Sequence, residues 1–135
     1  MVNEITPEVR AFLEEKRFAV LATIRSDGSP QQTVMWYLLA DGYVLMNTAR
    51  GRAKDEYLRR DPRLSICVED GYRYVTLAGT AEIIDDQEIA QEDIAALAVR
   101  YHGPEKGAAQ AETFRKQQRM TIHMSIQSVI ANGFE

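Results

Sequence analysis

The sequence predicts an α+β domain, mainly β, in which about six short strands form an antiparallel sheet closed into a barrel with helices at its ends. Three observations carry this. Asp-Gly pairs at Asp27-Gly28, Asp41-Gly42 and Asp70-Gly71 punctuate the chain as hairpin turns. The runs beside them are rich in Val, Ile, Leu, Thr and Tyr, residues that suit a pleated, half-buried surface. Apolar residues at helical spacing occur only near the start, after the third strand and between Asp85 and Gln118.

Taken in order, Thr6 is placed to cap a first helix, Pro7 suits its first turn, and Val9, Phe12 and Leu13 form its apolar stripe. Phe18–Ile24 is a short apolar strand, expected to be buried on both sides. After the turn at Ser26–Pro30 comes a second strand, Gln32–Leu39, and after Asp41-Gly42 a third, Tyr43–Asn47. Turns this short predict an up-and-down order for the three. Ala53–Arg60 reads as a short helix stopped before Asp61-Pro62.

Arg63–Glu69 is the fourth strand. Tyr74–Ile84 is the fifth, with Gly79 marking a bulge or a bend in a strongly curved sheet. Asp85 is expected to cap a further helix, with Glu88 three residues on as its capping-box partner. Ile94, Leu97, Ala98 and Tyr101 share one face, Gly103-Pro104 ends that helix, and Glu105–Gln118 makes a second, mostly solvated one. Two β runs, Met120–Ile126 and Ser128–Ala131, finish the chain.

A length of 135 residues without repeats, low-complexity tracts or long linkers indicates a single domain, 1–135. The net charge of −4 argues against nucleic acid as a partner, which needs a broad basic surface, but leaves room for a small anionic ligand. No apolar run is long enough to span a membrane and no basic-plus-apolar leader opens the sequence, so the cytoplasm is the expected location. Cys67 is the lone cysteine, excludes an internal disulfide, and is expected to be a small buried hydrophobe within Leu64–Val68. His102 and His123 are isolated, so no metal is expected.

The segment Asn47-Thr48-Ala49-Arg50-Gly51-Arg52-Ala53-Lys54 leaves a strand and enters a helix. Six basic residues lie between Arg50 and Arg63, opposed only by Asp55, Glu56 and Asp61, in a chain that is acidic elsewhere. A helix start offers free backbone N–H groups, arginine forks match phosphate oxygens, and the Thr48 hydroxyl adds a donor. Charge alone leaves two readings open, a phosphate site and a solvated basic face paired with its neighbouring acids.

A second cluster, Gln31–Tyr37, supplies aromatic and apolar surface with amide edges at Gln32 and a hydroxyl at Thr33. It suits a flat ring as well as ordinary core packing. A third, Asp70–Tyr74, is aromatic and basic, and fits a ligand cover, a subunit contact or a plain hairpin. Nucleophile elbows, P-loops and dinucleotide fingerprints are all missing, so chemistry here would rest on a cofactor.

In sequence order, Ala22–Pro30, Met35-Trp36-Tyr37, Arg52-Ala53-Lys54 and Leu58–Arg63 resemble the pyridoxamine 5′-phosphate oxidase-like split-barrel superfamily. The combination is most similar to its branch of flavin- and deazaflavin-dependent oxidoreductases that use coenzyme F-420. The resemblance implies an FMN-binding-like split barrel and a homodimer with a cofactor in a groove at each end of the subunit interface. It implies that the ring lies along Gln32, Thr33, Val34 and Trp36. It places the phosphate at the Asn47–Ala49 strand end and the helix start, against Thr48, Arg52 and Lys54. Tyr72 and Tyr74, from the partner subunit, would line the other wall.

The implied reaction is hydride transfer from reduced coenzyme F-420 to a conjugated small molecule such as a quinone, an enone or a biliverdin-like tetrapyrrole. Two alternatives stand beside it: an FMN-binding oxidase or flavin carrier of the same fold, and a non-enzymatic cofactor-binding dimer. The phosphate cradle alone does not choose between the two cofactors.

Overall fold

Thr6 accepts a hydrogen bond from the Val9 amide and opens helix α1, Pro7–Glu14, which buries Val9, Phe12 and Leu13. The computed structural model describes residues 3–134. After α1 the chain forms β1 Ala19–Ile24, β2 Pro30–Met35, β3 Leu38–Leu39, β4 Tyr43–Ala49, α2 Ala53–Arg60, β5 Arg63–Asp70, β6 Arg73–Ile84, α3 Gln87–Phe114, β7 Arg119–Ser125 and β8 Ser128–Asn132. The strands make one antiparallel sheet in the order β2-β1-β5-β6-β7-β4-β3, with β8 added to β6.

β2 and β3 sit at opposite ends of that order, yet only Trp36 and Tyr37 separate them in the chain. Three Cα steps reach at most roughly 11 Å, so the two sheet edges must curl toward each other. The result is a barrel with a slit, closed at one point by the Trp36-Tyr37 crossing. Tyr37 is fully buried there, and its hydroxyl donates to the Leu13 carbonyl at 2.7 Å. The expected up-and-down order therefore holds as two hairpins, β1–β2 and β3–β4, but the second strand does not run unbroken between them. β4 pairs with β3 and β7 rather than with β2, because the second strand breaks at Trp36 to carry Tyr37 inward.

Inside the barrel, Leu21, Leu64, Ile66, Val68, Val75, Leu77, Met46, Met120, Ile122 and Met124 form one core with α1 and Leu58 of α2. Alternation sends the intervening residues outward. β1 is therefore not buried on both sides: Val20, Ala22 and Ile24 lie on its outer face, and Phe18 is exposed. Cys67 likewise faces outward, half-buried, while Ile66 and Val68 take the core positions.

β6 bends where it changes partners, from β5 and β8 along its first half to β7 along its second. The bend sits at Gly79. A Cβ there would collide with the Ser125 carbonyl, so only glycine lets the two backbones meet this closely.

Helix α3 is capped by Asp86, which accepts from the amides of Glu88 and Ile89, and not by the expected Asp85. Asp85 is instead occupied by Arg59, whose two guanidinium nitrogens reach its carboxylate at 2.7 and 3.0 Å. At Gly103, with φ +86, the helix folds back on itself, as Gly103-Pro104 implied. The returning arm is largely solvated but packs Gly107 directly on the Val99 backbone.

The long arm of α3 locks α1 to the barrel slit. Arg100 donates to the carbonyls of Glu14, Glu15 and Tyr37, satisfying groups that the end of α1 leaves free. The neighbouring Tyr101 hydroxyl accepts from the Tyr37 amide and donates to the Arg17 carbonyl. Tyr101→Phe would strand both backbone groups. It is expected to cost about 1–3 kcal/mol, read as a lower urea midpoint at unchanged m-value.

Candidate functional site: a cationic groove beside the barrel slit

β4 ends at Ala49, Gly51 turns the chain with φ +85, and α2 starts at Ala53. Arg52 occupies the N-cap position in extended conformation, but its side chain makes no capping bond. The loop is held from within the helix, where the Asp55 carboxylate accepts from the Gly51 amide at 2.7 Å and pairs with Arg59. Burial alone would raise the Asp55 pKa, but the Gly51 amide and the Arg59 guanidinium outweigh it and hold it below its ordinary value.

The six basic residues of this stretch divide into two groups. Arg50 and Arg59 pair with Asp85, Arg60 donates to the Ile24 carbonyl, and Arg63 pairs with Asp61. These four build structure. Among the described residues, Arg52 and Lys54 have no acidic partner within ion-pair distance. Arg52 is exposed, whereas Lys54 is only 8% exposed.

A third cation joins them from a distant part of the chain. Arg119, the first residue of β7, stands opposite Ala49 in the β4–β7 register and is 4% exposed. Its Nε donates to Asn47 Oδ1 at 3.0 Å, its Nη1 donates to Gln117 Oε1 at 2.7 Å, and its guanidinium lies 4.7 Å from the Phe114 ring centroid. It too lacks an acidic partner among the described residues. Burial lowers its pKa to about 10, with Arg52 adding repulsion. Burial also lowers that of Lys54, with Arg52 and Arg119 both contributing. Three cations thus neighbour one another with no acid within ion-pair distance among the described residues.

Arg52 and Arg119 open onto a groove of about 220 Å³ also lined by Val34, Met35, Trp36, Asn47, Ile94, Gln110 and Phe114. Typical small-molecule sites run from roughly 300 Å³ upward, so this open groove is a partial enclosure for a ligand. Its walls are apolar and aromatic, and its polar groups are amides and cations. None of the lining side chains is a carboxylate, a histidine or a hydroxyl able to act as an acid or base near neutral pH. A depression of about 290 Å³ at Tyr43, Thr80, Glu82 and His123 lies at the far end of β4 and presents a carboxylate, not a cation cluster.

The remaining sequence-predicted residues fall as follows. Gln32 and Val34 share the outer face of edge strand β2, with Val34 66% exposed, while Thr33 points to the opposite face. Trp36 is half-buried and stacks on Tyr101 at a centroid distance of 5.2 Å.

Asn47 is buried against α3 and β7, donating to the Ala90 carbonyl and to Thr121. Thr48 turns to the core side, and its buried hydroxyl has no hydrogen-bond partner among the described residues. Ala49 is buried at the strand end. Tyr72, 92% exposed, and the half-buried Tyr74 sit on the β5–β6 hairpin and do not line the groove of their own chain. Nothing local sets Arg119 apart from the solvated basic residues Arg115 and Lys116 beside it, because its place opposite Ala49 follows only from the β4–β7 pairing. Gln110 and Phe114 were hidden in a helix that reads as solvated.

The pyridoxamine 5′-phosphate oxidase family model matches residues 5–131, nearly the whole chain. The chain belongs to the pyridoxamine 5′-phosphate oxidase family. Similar solved structures agree on the split-barrel fold. A conserved hypothetical protein from Mycobacterium tuberculosis is 30% identical, with a TM-score of 0.80 over 93% of this chain and 82% of that one. An F420 reductase is 25% identical, with a TM-score of 0.74 over 90% of this chain and 94% of that one. The heme storage protein HutZ from Vibrio cholerae, 20% identical with a TM-score of 0.74, covers 97% of this chain and 96% of that one, and shares the fold. Among the described residues no helix is long and apolar enough to cross a membrane.

Proposed function

We propose that this protein is an oxidoreductase that uses reduced coenzyme F-420 to transfer a hydride to a conjugated small molecule, of the quinone, enone or biliverdin type. One observation supports the cofactor site above the others: Arg52 and Lys54 stand without counter-charge beside an uncapped helix start, a cradle suited to phosphate. The buried, unpartnered Thr48 hydroxyl at the end of the same strand is a further donor, available if the strand end shifts on binding. The F420 reductase at 25% identity favours the deazaflavin over other cofactors.

The bound deazaflavin would supply the hydride chemistry. The protein's own share is binding, orientation and exclusion of water. Val34 and Trp36 offer a flat apolar strip for the ring, and the free backbone edge of β2, including Thr33, offers groups for its polar rim. The lack of acid–base side chains in the groove fits chemistry of this kind.

A homodimer in the cytoplasm is part of the proposal. Val34, Val20, Cys67, Thr76 and Ile130 are successive cross-strand neighbours, forming one row across five strands on the outer face. None of the five is fully buried, and the row starts at the lip of the groove. A second copy seated on this row would cover the apolar strip. It would also complete the enclosure, with Tyr72 and Tyr74 as the partner's wall.

FMN is the second reading, favoured by the three-cation cluster, which matches the double charge of a phosphate monoester. Titration of the protein with each cofactor, followed by cofactor fluorescence, separates the two. Tight binding of coenzyme F-420 with none for FMN, followed by quinone or tetrapyrrole reduction by the reduced coenzyme, is the expected result. Retention of FMN through purification with no affinity for the deazaflavin would overturn it.

A further inference from the structure

We propose that Arg119 is a third phosphate-binding residue of the groove, held ready by Asn47 and Gln117. This rests on the reading of the groove as a phosphorylated-cofactor site. It goes further by assigning the cofactor's anionic contact to a buried side chain on a strand some 65 residues beyond the helix start.

The geometry of the guanidinium carries the argument. Asn47 takes Nε and Gln117 takes Nη1, so the plane of the group is fixed from two sides. Phe114 supports the guanidinium through its ring face. Nη2 has no protein partner among the described residues, and Arg119 lines the groove together with Arg52. A cation removed from water needs a counter-charge or a full set of acceptors. Here both acceptors are neutral amides, and the neighbouring charges, Arg52 and Lys54, are of the same sign.

The structural arginines of this chain point at acids, as Arg59 does toward Asp55 and Asp85, or at backbone carbonyls, as Arg60 and Arg100 do. Arg119 does neither with its Nη2, and it lines an open groove. The chemistry that completes it is a phosphate oxygen. With Arg52 and Lys54 it makes a triple cation, suited to an anion of more than one negative charge.

The experiment compares each cofactor with its phosphate-free counterpart: FMN against riboflavin, which differ only in that anion, and coenzyme F-420 against its deazaflavin chromophore, which lacks the phosphate and the tail joined through it. Wild type should prefer the phosphorylated member of at least one pair. If it prefers neither, the phosphate-site reading itself fails. In Arg119→Gln that preference should fall about 10- to 100-fold, through loss of affinity for the phosphorylated member alone. An unchanged preference in folded Arg119→Gln, or an equal loss for both members of a pair, would overturn the assignment. Should Arg119→Gln not fold, Arg119→Lys decides. It keeps the charge but not the two-sided anchoring, and an intermediate preference is expected, whereas an unaltered one would refute the role.

Discussion

Replacing Lys54 with methionine is expected to weaken binding of a phosphorylated flavin or deazaflavin by about 10- to 100-fold, the range for one charged hydrogen bond. The same change is expected to stabilise the empty protein, by about 1 kcal/mol. The opposite signs follow from one cause. Burial, with Arg52 and Arg119 nearby, disfavours the Lys54 ammonium, and no acid offsets this. Methionine keeps the length and apolar body of the side chain while removing the charge, so the empty site relaxes. Once a phosphate is present, the same charge is what the site lacks. Thermal melts without ligand, set beside titrations with FMN and coenzyme F-420, measure both halves. A Lys54 that merely packs α2 would show a lower melting temperature and an unchanged affinity.

This division between charges that build and charges that wait was only half legible in the sequence. The basic excess from Arg50 to Arg63 was plain, and so was its place between a strand and a helix. Which members were free was not, because the acids that neutralise them are partly remote. Asp85, which holds Arg50 and Arg59, looked like a helix cap from its spacing to Glu88. Local rules could not weigh that cap against an ion pair formed across the fold, and Asp86, one residue on, does the capping. Arg119 is hidden for the same reason: its partner Asn47 comes to it only when β7 pairs with β4.

The elements themselves were easier, where the signal lay within a turn of the backbone. Thr6-Pro7 set the start of α1, and Gly28, Gly42 and Gly71 take the positive φ their turns require. The order of the strands was harder. Gln32–Leu39 looks continuous by composition, and nothing within it announces that Tyr37 turns into the core. That inward turn closes the barrel slit at one point. It also sets Trp36 at the groove, so the strand break that composition hides is what positions the candidate site.

Gly79→Ala is expected to be among the most damaging single methyl groups that could be added to this chain, at about 3 kcal/mol or more of stability. At Gly79 the backbone of β6 meets Ser125 while passing from β5 and β8 to β7. A Cβ at this point would overlap the Ser125 carbonyl carbon and oxygen, which are backbone and cannot swing aside as a side-chain tip could. Relief would require β7 to move away from β6. The Ser125 hydroxyl, which accepts from the Thr80 amide, would then be pulled from its partner.

Gly28→Ala is the comparison that isolates the cause. Gly28 has φ +88 and open space around it, so its cost is backbone strain alone, roughly 1 kcal/mol. Urea unfolding of the two variants should therefore differ by about 2 kcal/mol. Equal losses would mean that the β6 bend tolerates a side chain. In that case the strand change at Gly79 would not depend on its close approach to Ser125.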